Sequence, residues 1–220
     1  MNIVNFTLAG AQLAALASGA LWWPEKSLLC VSDLHLGKAD RIVRKGGAPL
    51  PPYETHDTLL RLSGDLYQTN AKIVICLGDS FDDLGATFSL SEDDKMMIAR
   101  LQSGRRWIWV EGNHDPGPIE LGGTHHSAVN IGPLAFRHIA MPSEEAEISG
   151  HYHPKARIFA RGRAISRPAF LYDDVRVVLP AYGTYTGGLD TTSKALSTLM
   201  RVDARAILTG KTPLTVPMPR

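Results

Sequence analysis

The sequence contains very little cysteine, and both cysteines lie inside apolar runs. Cys30 belongs to the stretch LLCVSD and Cys76 to the stretch IVICLGD. Two cysteines in 220 residues cannot form the disulfide framework that is typical of small secreted proteins. We expect both to be reduced, buried side chains, which favours the cytoplasm as the location.

An excess of charge of one sign is also missing. The net charge is +1, and charged residues make up 20% of the chain. A dedicated duplex-DNA-binding domain usually has a strong basic excess, so any contact with nucleic acid must come from a local patch. The hydrophobic content of 44% excludes extensive disorder.

The first 24 residues contain no Lys, Arg, Asp or Glu. A secretory signal needs a positively charged segment at its start, and none is found here. The polar residues Asn5, Thr7, Gln12 and Ser18 also make the stretch a poor membrane span. We therefore predict two short strands joined by a turn, and no contact with a membrane.

The first half of the chain alternates between strand patterns and helix patterns. Apolar runs predict buried strands at 27–33, 71–79 and 105–112, and amphipathic or capped stretches predict helices at 51–70 and 91–104. Further strands are predicted at 128–138 and 145–153, and in the runs FLYDDVRVVLP and ARAILTGKTPLTVP. This order predicts an α/β protein with mixed sheets. No repeat or linker interrupts it, so we predict one domain over 1–220.

Polar residues with metal-binding side chains follow the predicted strands. The candidate ligands are Asp33, His35, Asp79, Asn113, His138, His151 and His153. Ligands bind beyond the carboxyl ends of strands in open α/β sheets, so these residues are expected to share one site. Two pairs, Asp33 with His35 and His151 with His153, are spaced i, i+2, which in extended backbone directs both side chains to one face.

Carboxylate, imidazole and amide ligands without thiolate suit Mn, Fe or Zn and argue against a structural zinc finger. Seven candidate ligands are more than one ion needs. Two ions that share a bridging carboxylate would use them all, and paired metals about 3.5–4 Å apart are the usual device for in-line displacement at phosphorus.

Four short motifs in order resemble those of the calcineurin-like metallophosphoesterases. They are DLHLGK (33–38), GDSFD (78–82), GNHD (112–115) and GHYH (150–153). The stretches GALWWPEKSLL and LPAYGTYTGGLD resemble, more narrowly, the ligase-associated DNA-damage-response phosphoesterases. Together these similarities extend over most of the chain, and four ordered motifs are far more specific than any one alone.

This resemblance implies a four-layer αββα sandwich of two mixed sheets flanked by helices, around two divalent transition-metal ions. Manganese is favoured, with iron or zinc as alternatives. Asp33, His35 and His153 would hold one ion. Asn113, His138 and His151 would hold the other, with Asp79 bridging the two. His138 has the weakest flanking motif, and His125 or His126 remain alternatives for it.

The resemblance also implies catalytic roles for the two residues that follow Asn113. His114 would stabilise the developing charge or protonate the leaving oxygen, without binding a metal. Asp115 would orient its neighbours through hydrogen bonds. The nucleophile would be a metal-bound hydroxide attacking phosphorus in line.

Two basic clusters adjoin the motifs. The first cluster consists of Lys38, which ends the first motif, and of Arg41, Arg44 and Lys45, which follow it. Lys38, Arg41 and Arg44 are candidates for contact with substrate. The second cluster, Lys155, Arg157, Arg161, Arg163 and Arg167, follows the last motif. Either cluster could instead be a solvated face.

Three functions fit these features. The first is a phosphodiesterase or nuclease of DNA repair that acts on single-stranded or damaged DNA, in association with a DNA ligase and a helicase. The second is a phosphodiesterase for cyclic nucleotides or dinucleotides, or a phosphomonoesterase. The third is a metal-binding scaffold without catalysis, which would have no need of His114. No feature of the sequence indicates an oligomeric state.

Overall fold

Two β-sheets stacked face to face, with helices on both outer sides, make up the protein. The structure is a computed structural model that describes residues 2–117, 120–142, 145–160 and 162–220. The arrangement is the four-layer αββα sandwich that the motif resemblance implied.

The first sheet consists of seven strands in sequence order. They are β1 (Ile3–Leu8), β2 (Ala11–Leu16), β3 (Leu21–Trp23), β4 (Leu28–Val31), β5 (Ile73–Leu77), β6 (Arg106–Val110) and β7 (Thr124–His126). Strands β1 to β4 are antiparallel neighbours, whereas β4 to β7 run parallel. The four parallel strands therefore deliver their carboxyl ends to one edge of the sheet.

The second sheet is also mixed, with the order β15-β14-β12-β13-β10-β9-β8 and β11 paired to β12. Its strands are β8 (Ala128–Ile131), β9 (Leu134–Arg137), β10 (Glu147–Ser149), β11 (Lys155–Ala160), β12 (Arg163–Tyr172), β13 (Arg176–Val178), β14 (Arg205–Leu208) and β15 (Leu214–Pro217). Strands β9, β10 and β13 are parallel to one another.

Five α-helices are found among the described residues. They are α1 (Lys38–Arg44), α2 (Glu54–Thr69), α3 (Ala86–Ser89), α4 (Glu92–Gln102) and α5 (Lys194–Leu199). Helix α4 begins as the sequence predicted, because the Ser91 side chain accepts a hydrogen bond from the Asp94 N–H.

Side chains that alternate between the two faces of each sheet form three separate apolar cores. In β4, Leu29 and Val31 pack toward α2 and α4, whereas Leu28 and Cys30 pack between the two sheets. A third core joins the second sheet to α5, which contributes the buried Leu196. Strands buried on both faces read as continuous apolar runs, which explains why they were recognisable in the sequence.

The N-terminal segment and the stretch 128–138 differ from the predictions. Three strands, not two, precede residue 24, because the short run Leu21–Trp23 pairs with both β2 and β4. The predicted strand at 128–138 is a hairpin in which β8 and β9 are separated at Gly132, whose positive φ of 55° makes the turn. Helices α1, α3 and α5 were not predicted.

Both cysteines are free and buried, as expected. Burial raises the pKa of each thiol well above its ordinary value. Among the described residues, no helix combines the length and the apolar character that crossing a bilayer requires.

Candidate metal centre

The predicted ligands converge where the two sheets bring their carboxyl ends together. Asp33 follows β4, Asp79 follows β5, and Asn113 follows β6 in the first sheet. His138 and His151 follow β9 and β10 in the second sheet. Ligands from both sheets therefore meet at a single edge of the sandwich.

The first ligand group contains Asp33, His35 and His153, whose candidate ligand atoms lie within 4.8 Å of one another. His153 Nε2 is 3.1 Å from Asp33 Oδ1 and 3.4 Å from His35 Nε2. The second carboxylate oxygen of Asp33 accepts hydrogen bonds from the Ser32 hydroxyl and from the His151 N–H. Oδ1 therefore remains as the oxygen that faces the two histidines.

The second group contains Asp79, His138 and His151. His138 Nε2 lies 3.4 Å from Asp79 Oδ2 and 3.3 Å from His151 Nδ1. The amide oxygen of Asn113 lies 3.0 Å from the same His138 nitrogen. All seven predicted ligands thus belong to one of two adjoining clusters.

The chemistry of these groups fits divalent cations. His138 Nδ1 is 2.8 Å from the Leu77 carbonyl oxygen, so in neutral imidazole it carries the proton and leaves a lone pair on Nε2. That lone pair faces the oxygens of Asn113 and Asp79, which are acceptors too. In the first group, Asp33 Oδ1 is buried and has no hydrogen-bond partner among the described residues. Converging acceptors without donors are what a cation would satisfy.

The backbone at the ligands is not extended, which corrects the geometric argument made from the i, i+2 spacing. Asp33 and His35 have φ values of 54° and 46°, and His151 and His153 have 70° and 46°. Asp79 has a φ of 47°. These left-handed conformations are rare outside glycine and cost on the order of 1–3 kcal/mol each. The paired side chains reach one centre through these bends after the strands have ended.

Glycines in the motifs leave space for the ligands. A Cβ on Gly112 would collide with the backbone nitrogen and carboxylate of Asp79. A Cβ on Gly150 would collide with the Ser32 hydroxyl and lie 2.6 Å from Asp33 Oδ2. The glycines before Asn113 and His151 are therefore required because other parts of the centre pass against their backbone.

His114 and Asp115 occupy different surroundings. His114 Nδ1 is 2.8 Å from the Asp82 carbonyl oxygen, and its ring packs edge-on against the His35 ring with centroids 5.2 Å apart. Asp115 is buried, and its carboxylate accepts hydrogen bonds from four backbone N–H groups: those of Asp79, Ser80, Phe81 and Gly112. Asp115 thus ties the GDSFD loop to the GNHD loop.

Asp82 was not among the site residues predicted from the sequence, yet it contacts one of the proposed ligands. It is fully buried, and its Oδ1 lies 2.8 Å from His35 Nδ1, which orients the other ring nitrogen toward Asp33 and His153. The fifth position of the GDSFD motif was the available signal, but a loop Asp is usually solvated. Burial tends to raise its pKa, yet His35, Arg41 and Lys38 together hold it well below its ordinary value.

The pKa shifts follow from burial and from close charges. Burial tends to raise the pKa of Asp79, but hydrogen bonding to His138 and to the His114 N–H lowers it to about 2. Burial, together with the nearby Asp79, raises the pKa of Asp115 to about 6, despite its backbone hydrogen bonds. Burial and the neighbouring His138 lower the pKa of His151.

The basic residues of the first cluster lie on α1 and face acidic partners. Arg41 donates to Asp82 at 2.8 Å, and Arg44 donates to Asp40 and Asp83. Lys38 Nζ is 3.8 Å from Asp82 Oδ1, a looser pairing. In the second cluster, Lys155, Arg157, Arg163 and Arg167 lie on the β11–β12 hairpin, whereas Arg161 lies outside the described residues.

The alternatives to His138 lie on an edge strand. His125 and His126 belong to β7, where the His125 ring stacks at 6.5 Å from the Trp109 ring. Neither residue belongs to a metal-binding group among the described residues, whereas His138 does. The geometry therefore favours His138 as the ligand of this set.

A metal-dependent phosphoesterase is the class of protein that this fold and these converging ligands define. The chain belongs to the calcineurin-like phosphoesterase family, whose sequence model matches residues 26–200. It is an enzyme of the hydrolase class that depends on divalent metal ions.

Two solved structures are similar to this chain to different degrees. The nuclease MPE from Pseudomonas putida has 26% sequence identity to this chain, and its crystal structure superposes on this fold with a TM-score of 0.76. The match covers 97% of this chain and 100% of the nuclease chain. Yfce, a phosphoesterase from E. coli, is 10% identical with a TM-score of 0.41, over 87% of this chain and 99% of that one. The second likeness is too low to carry an argument. No sequence among curated proteins matches the chain significantly.

Proposed function

We propose that this protein is a dinuclear phosphodiesterase that cleaves nucleic acid, with single-stranded or damaged DNA as its substrate and manganese as its metal. The observation that carries the proposal is the pair of adjoining ligand groups where the carboxyl ends of the two sheets meet. A role in DNA repair alongside a DNA ligase and a helicase belongs to the same proposal, through the resemblance of LPAYGTYTGGLD to the ligase-associated phosphoesterases. The likeness to a bacterial nuclease supports the choice of substrate.

The ligand roles follow the two groups. Asp33, His35 and His153 would hold one ion, while Asn113, His138 and His151 would hold the other and Asp79 would bridge them. When bound, divalent ions supply Lewis acidity toward a phosphoryl oxygen and make water available as a nucleophile near neutral pH.

We expect His114 to donate the proton to the leaving oxygen. Since its Nδ1 contacts the Asp82 carbonyl oxygen, Nε2 is the ring atom that remains to donate or accept a proton. The partly buried position beside His35 keeps the His114 ring next to the first ligand group. Asp115 contributes by holding the loops that carry Asp79 and Asn113.

Of the three basic residues, we expect Lys38 to contact a substrate phosphate most readily. Arg41 and Arg44 already donate short hydrogen bonds to Asp82 and Asp83, so a phosphate must compete with these carboxylates. Lys38 is 3.8 Å from Asp82 and keeps donors available beside the centre. All three remain part of the proposal, with Lys38 first.

The first test is hydrolysis of bis-p-nitrophenyl phosphate with Mn²⁺, with EDTA and an Asp79→Asn variant as controls. Activity that is lost in both controls supports a metal-dependent phosphodiesterase. Single-stranded, duplex and damaged DNA are then compared as substrates. Hydrolysis of p-nitrophenyl phosphate in preference to the diester, or no cleavage of any nucleic acid, would contradict the proposal and favour a phosphomonoesterase or a small-molecule phosphodiesterase.

A further inference from the structure

The hairpin formed by β11 and β12 carries the second basic cluster, which has no role in the proposed chemistry. Five basic residues lie between positions 155 and 167, and no acidic residue occurs from 148 to 172. This local excess is larger than the net charge of +1 of the whole chain, so the other residues together carry a net negative charge. The hairpin is therefore a concentration of positive charge on a protein that is otherwise slightly acidic.

The hairpin projects beyond the edge of the second sheet at which the metal centre lies. Strand β10 ends at Ser149, which pairs with Val178 of β13, and Val178 in turn pairs with Leu171 of β12. The proposed ligand His151 follows β10, so this level marks the carboxyl edge of the sheet. Strand β12 is antiparallel to β13, and its residues before Ala169 form ladder pairs with β11 alone. Those residues therefore lie beyond the edge, on the side of the proposed ligands.

The base of the hairpin is tied to the loop that carries the last ligands. The Leu189 N–H donates to the Tyr152 carbonyl oxygen, and the Leu189 carbonyl oxygen accepts the Lys155 N–H. Since a chain spans at most about 3.6 Å per residue, the Cα of Phe159 lies within about 22 Å of that of His153. A nucleic-acid strand advances about 3.4 Å per nucleotide, so a strand with one phosphate at the centre reaches the hairpin within about seven nucleotides.

One face of the hairpin packs on the protein and the other is free. Ala156 is part of the third apolar core, and the partly buried Ile158 packs against that core. Arg157 and Phe159, which alternate with them along β11, are exposed, and Phe159 is 80% exposed. The Arg157 guanidinium carbon lies 5.9 Å from the centroid of the Phe159 ring. The free face therefore presents a cation and an aromatic ring side by side.

The arginines of the hairpin differ from those of α1 in their partners. Arg41 and Arg44 pair with acidic side chains. Arg157 and Arg163 are exposed and have no acidic partner among the residues that the structure describes. An unpaired arginine keeps its guanidinium donors available for phosphate oxygens. Cations beside an exposed aromatic ring are the combination that binds single-stranded nucleic acid, because phosphates meet the cations while a base stacks on the ring.

We propose that the β11–β12 hairpin holds a single-stranded nucleic acid on one side of the scissile phosphate, with Arg157 and Arg163 on its phosphates and Phe159 against a base. The proposal rests on the proposed function and names the surface that holds the substrate away from the metal centre. Positive charge and an exposed ring also suit an anionic membrane. The position at the edge of a phosphoesterase centre favours a partner that itself contains phosphodiesters.

Binding of a fluorescently labelled oligothymidylate tests the two parts of the hairpin. Anisotropy is measured with the full chain in EDTA, which prevents cleavage, over a series of salt concentrations. We expect the Arg157→Ser/Arg163→Ser variant to bind at least about tenfold more weakly, with a salt slope smaller by about 1.4, because each phosphate contact on a single strand contributes about 0.7. Phe159→Ala should lose about fivefold or more in affinity and keep the wild-type salt slope, since it removes stacking and no charge.

Arg106→Ser/Arg205→Ser is the matched control. Both arginines are exposed at the amino ends of their strands, β6 and β14, and therefore lie at the opposite edge of each sheet from the metal centre. This variant loses the same charge and should bind close to the wild type, and Arg157→Lys/Arg163→Lys, which keeps the charge, should retain most of the binding. Equal losses in the hairpin and control variants, or an unchanged Kd in the serine and Phe159→Ala variants, overturns the proposal. Binding to phosphatidylserine vesicles without binding to the oligonucleotide also overturns it, in favour of a membrane surface.

Hydrolysis separates this proposal from the one on which it rests. The small diester bis-p-nitrophenyl phosphate has no neighbouring nucleotides, so the KM for single-stranded DNA should rise relative to the KM for this diester in the Arg157→Ser/Arg163→Ser variant. If the protein cleaves no nucleic acid but binds the single strand through the hairpin, the proposed function fails and the hairpin assignment stands. If it cleaves DNA and the hairpin variants leave both the Kd and the KM for DNA unchanged, only the hairpin assignment fails.

Discussion

At the scale of single residues, the centre depends on side chains that are held by backbone groups. In both His114 and His138, Nδ1 lies 2.8 Å from a backbone carbonyl oxygen. The Asp115 carboxylate accepts hydrogen bonds from four backbone N–H groups. Backbone partners fix both the tautomer and the direction of each ring without adding charge. The chemistry therefore relies on loop conformations as much as on residue identity.

Replacing His114 by alanine should separate metal binding from turnover. His114 is not one of the seven proposed ligands, although one of its ring nitrogens lies within 4.8 Å of candidate ligand atoms of His35 and Asp82. Because His35 is already assigned to the group with Asp33 and His153, we expect His114→Ala to retain the wild-type metal content. Loss of a general acid typically costs about 10²–10⁴-fold in rate, and we expect kcat on a phosphodiester to fall within that range. Metal analysis and steady-state kinetics measure the two quantities. Unchanged kcat would exclude the proposed role, and a protein that loses its metals would make His114 structural.

Asp82→Asn tests whether Asp82 positions His35. An amide interacts with the imidazole more weakly than a carboxylate does, and loss of such an orienting partner lowers metal affinity by about 10- to 100-fold. The expected result is a corresponding shift in a Mn²⁺ titration. Asp83→Asn is the matched control, because Asp83 is the adjacent acid, pairs with Arg44 and does not contact His35. Equal affinities in the two variants would contradict the role.

At the scale of elements, the loops after the strands are the specialised parts of the structure. Strand β4 ends at Val31, and only two residues later Asp33 has a left-handed conformation. The same happens after β5 at Asp79 and after β10 at His151. The strands supply rigid starting points, and the strained loops turn the ligands toward one another.

Gly150→Ala should disrupt the meeting point of the two sheets. The added methyl group would collide with the Ser32 hydroxyl and crowd Asp33, so we expect loss of metal binding and a decrease in unfolding free energy of about 1–3 kcal/mol. Calorimetry with and without Mn²⁺ measures both effects.

Gly64→Ala is the matched control for this substitution. Gly64 lies within α2 with open space around its Cα. Alanine at this position should increase the free energy of unfolding by about 0.5–1 kcal/mol and should leave metal binding intact. Metal binding by Gly150→Ala at wild-type affinity would show that the loop has room that the structure does not indicate.

At the scale of the whole molecule, a buried polar contact joins α2 to the segment after β13. The Tyr182 hydroxyl donates to the Asp65 carboxylate at 2.8 Å, and the Arg61 guanidinium lies over the Tyr182 ring. Burial raises the pKa of Asp65, although hydrogen bonds from Ser18 and Tyr182 and the charge of Arg61 partly offset this. That residues 1–220 form one domain stays a prediction.

The raised pKa of Asp65 predicts how the free energy of unfolding depends on pH. A carboxyl group with a raised pKa in the folded state binds protons more tightly there than in the unfolded chain. Its stabilising contribution is therefore complete below about pH 4 and is lost as pH rises through the raised pKa. The asparagine in the Asp65→Asn variant cannot ionise, so the variant does not lose this contribution. The unfolding free energy of the variant minus that of the wild type should therefore increase as pH rises through the raised pKa of Asp65. Denaturant titrations from pH 3.5 to pH 7 (about the range that contains the shift) measure the difference. Parallel curves for the two proteins would refute the expectation.

The sequence by itself determined the strongly apolar strands and the residue types at their ends. Strands β4, β5 and β6 were predicted because burial on both faces demands continuous apolar runs. The residues proposed as ligands could be selected from the sequence because metal chemistry restricts the residue types, and because three of them, Asp79, Asn113 and His151, directly follow a glycine. Their role as ligands stays a prediction. A third N-terminal strand and the short helix α1 were missed, since three to seven residues carry too little pattern.

Only the tertiary structure decided which groups meet. It placed His138 rather than His125 with the ligands, buried Asp82 against His35, and paired Arg41 with Asp82. It also replaced the extended i, i+2 geometry with left-handed bends. These outcomes depend on contacts between residues far apart in sequence, such as the 118 positions that separate His35 from His153. Local patterns carry no information about such contacts, because their energies exist only once the two sheets have packed together.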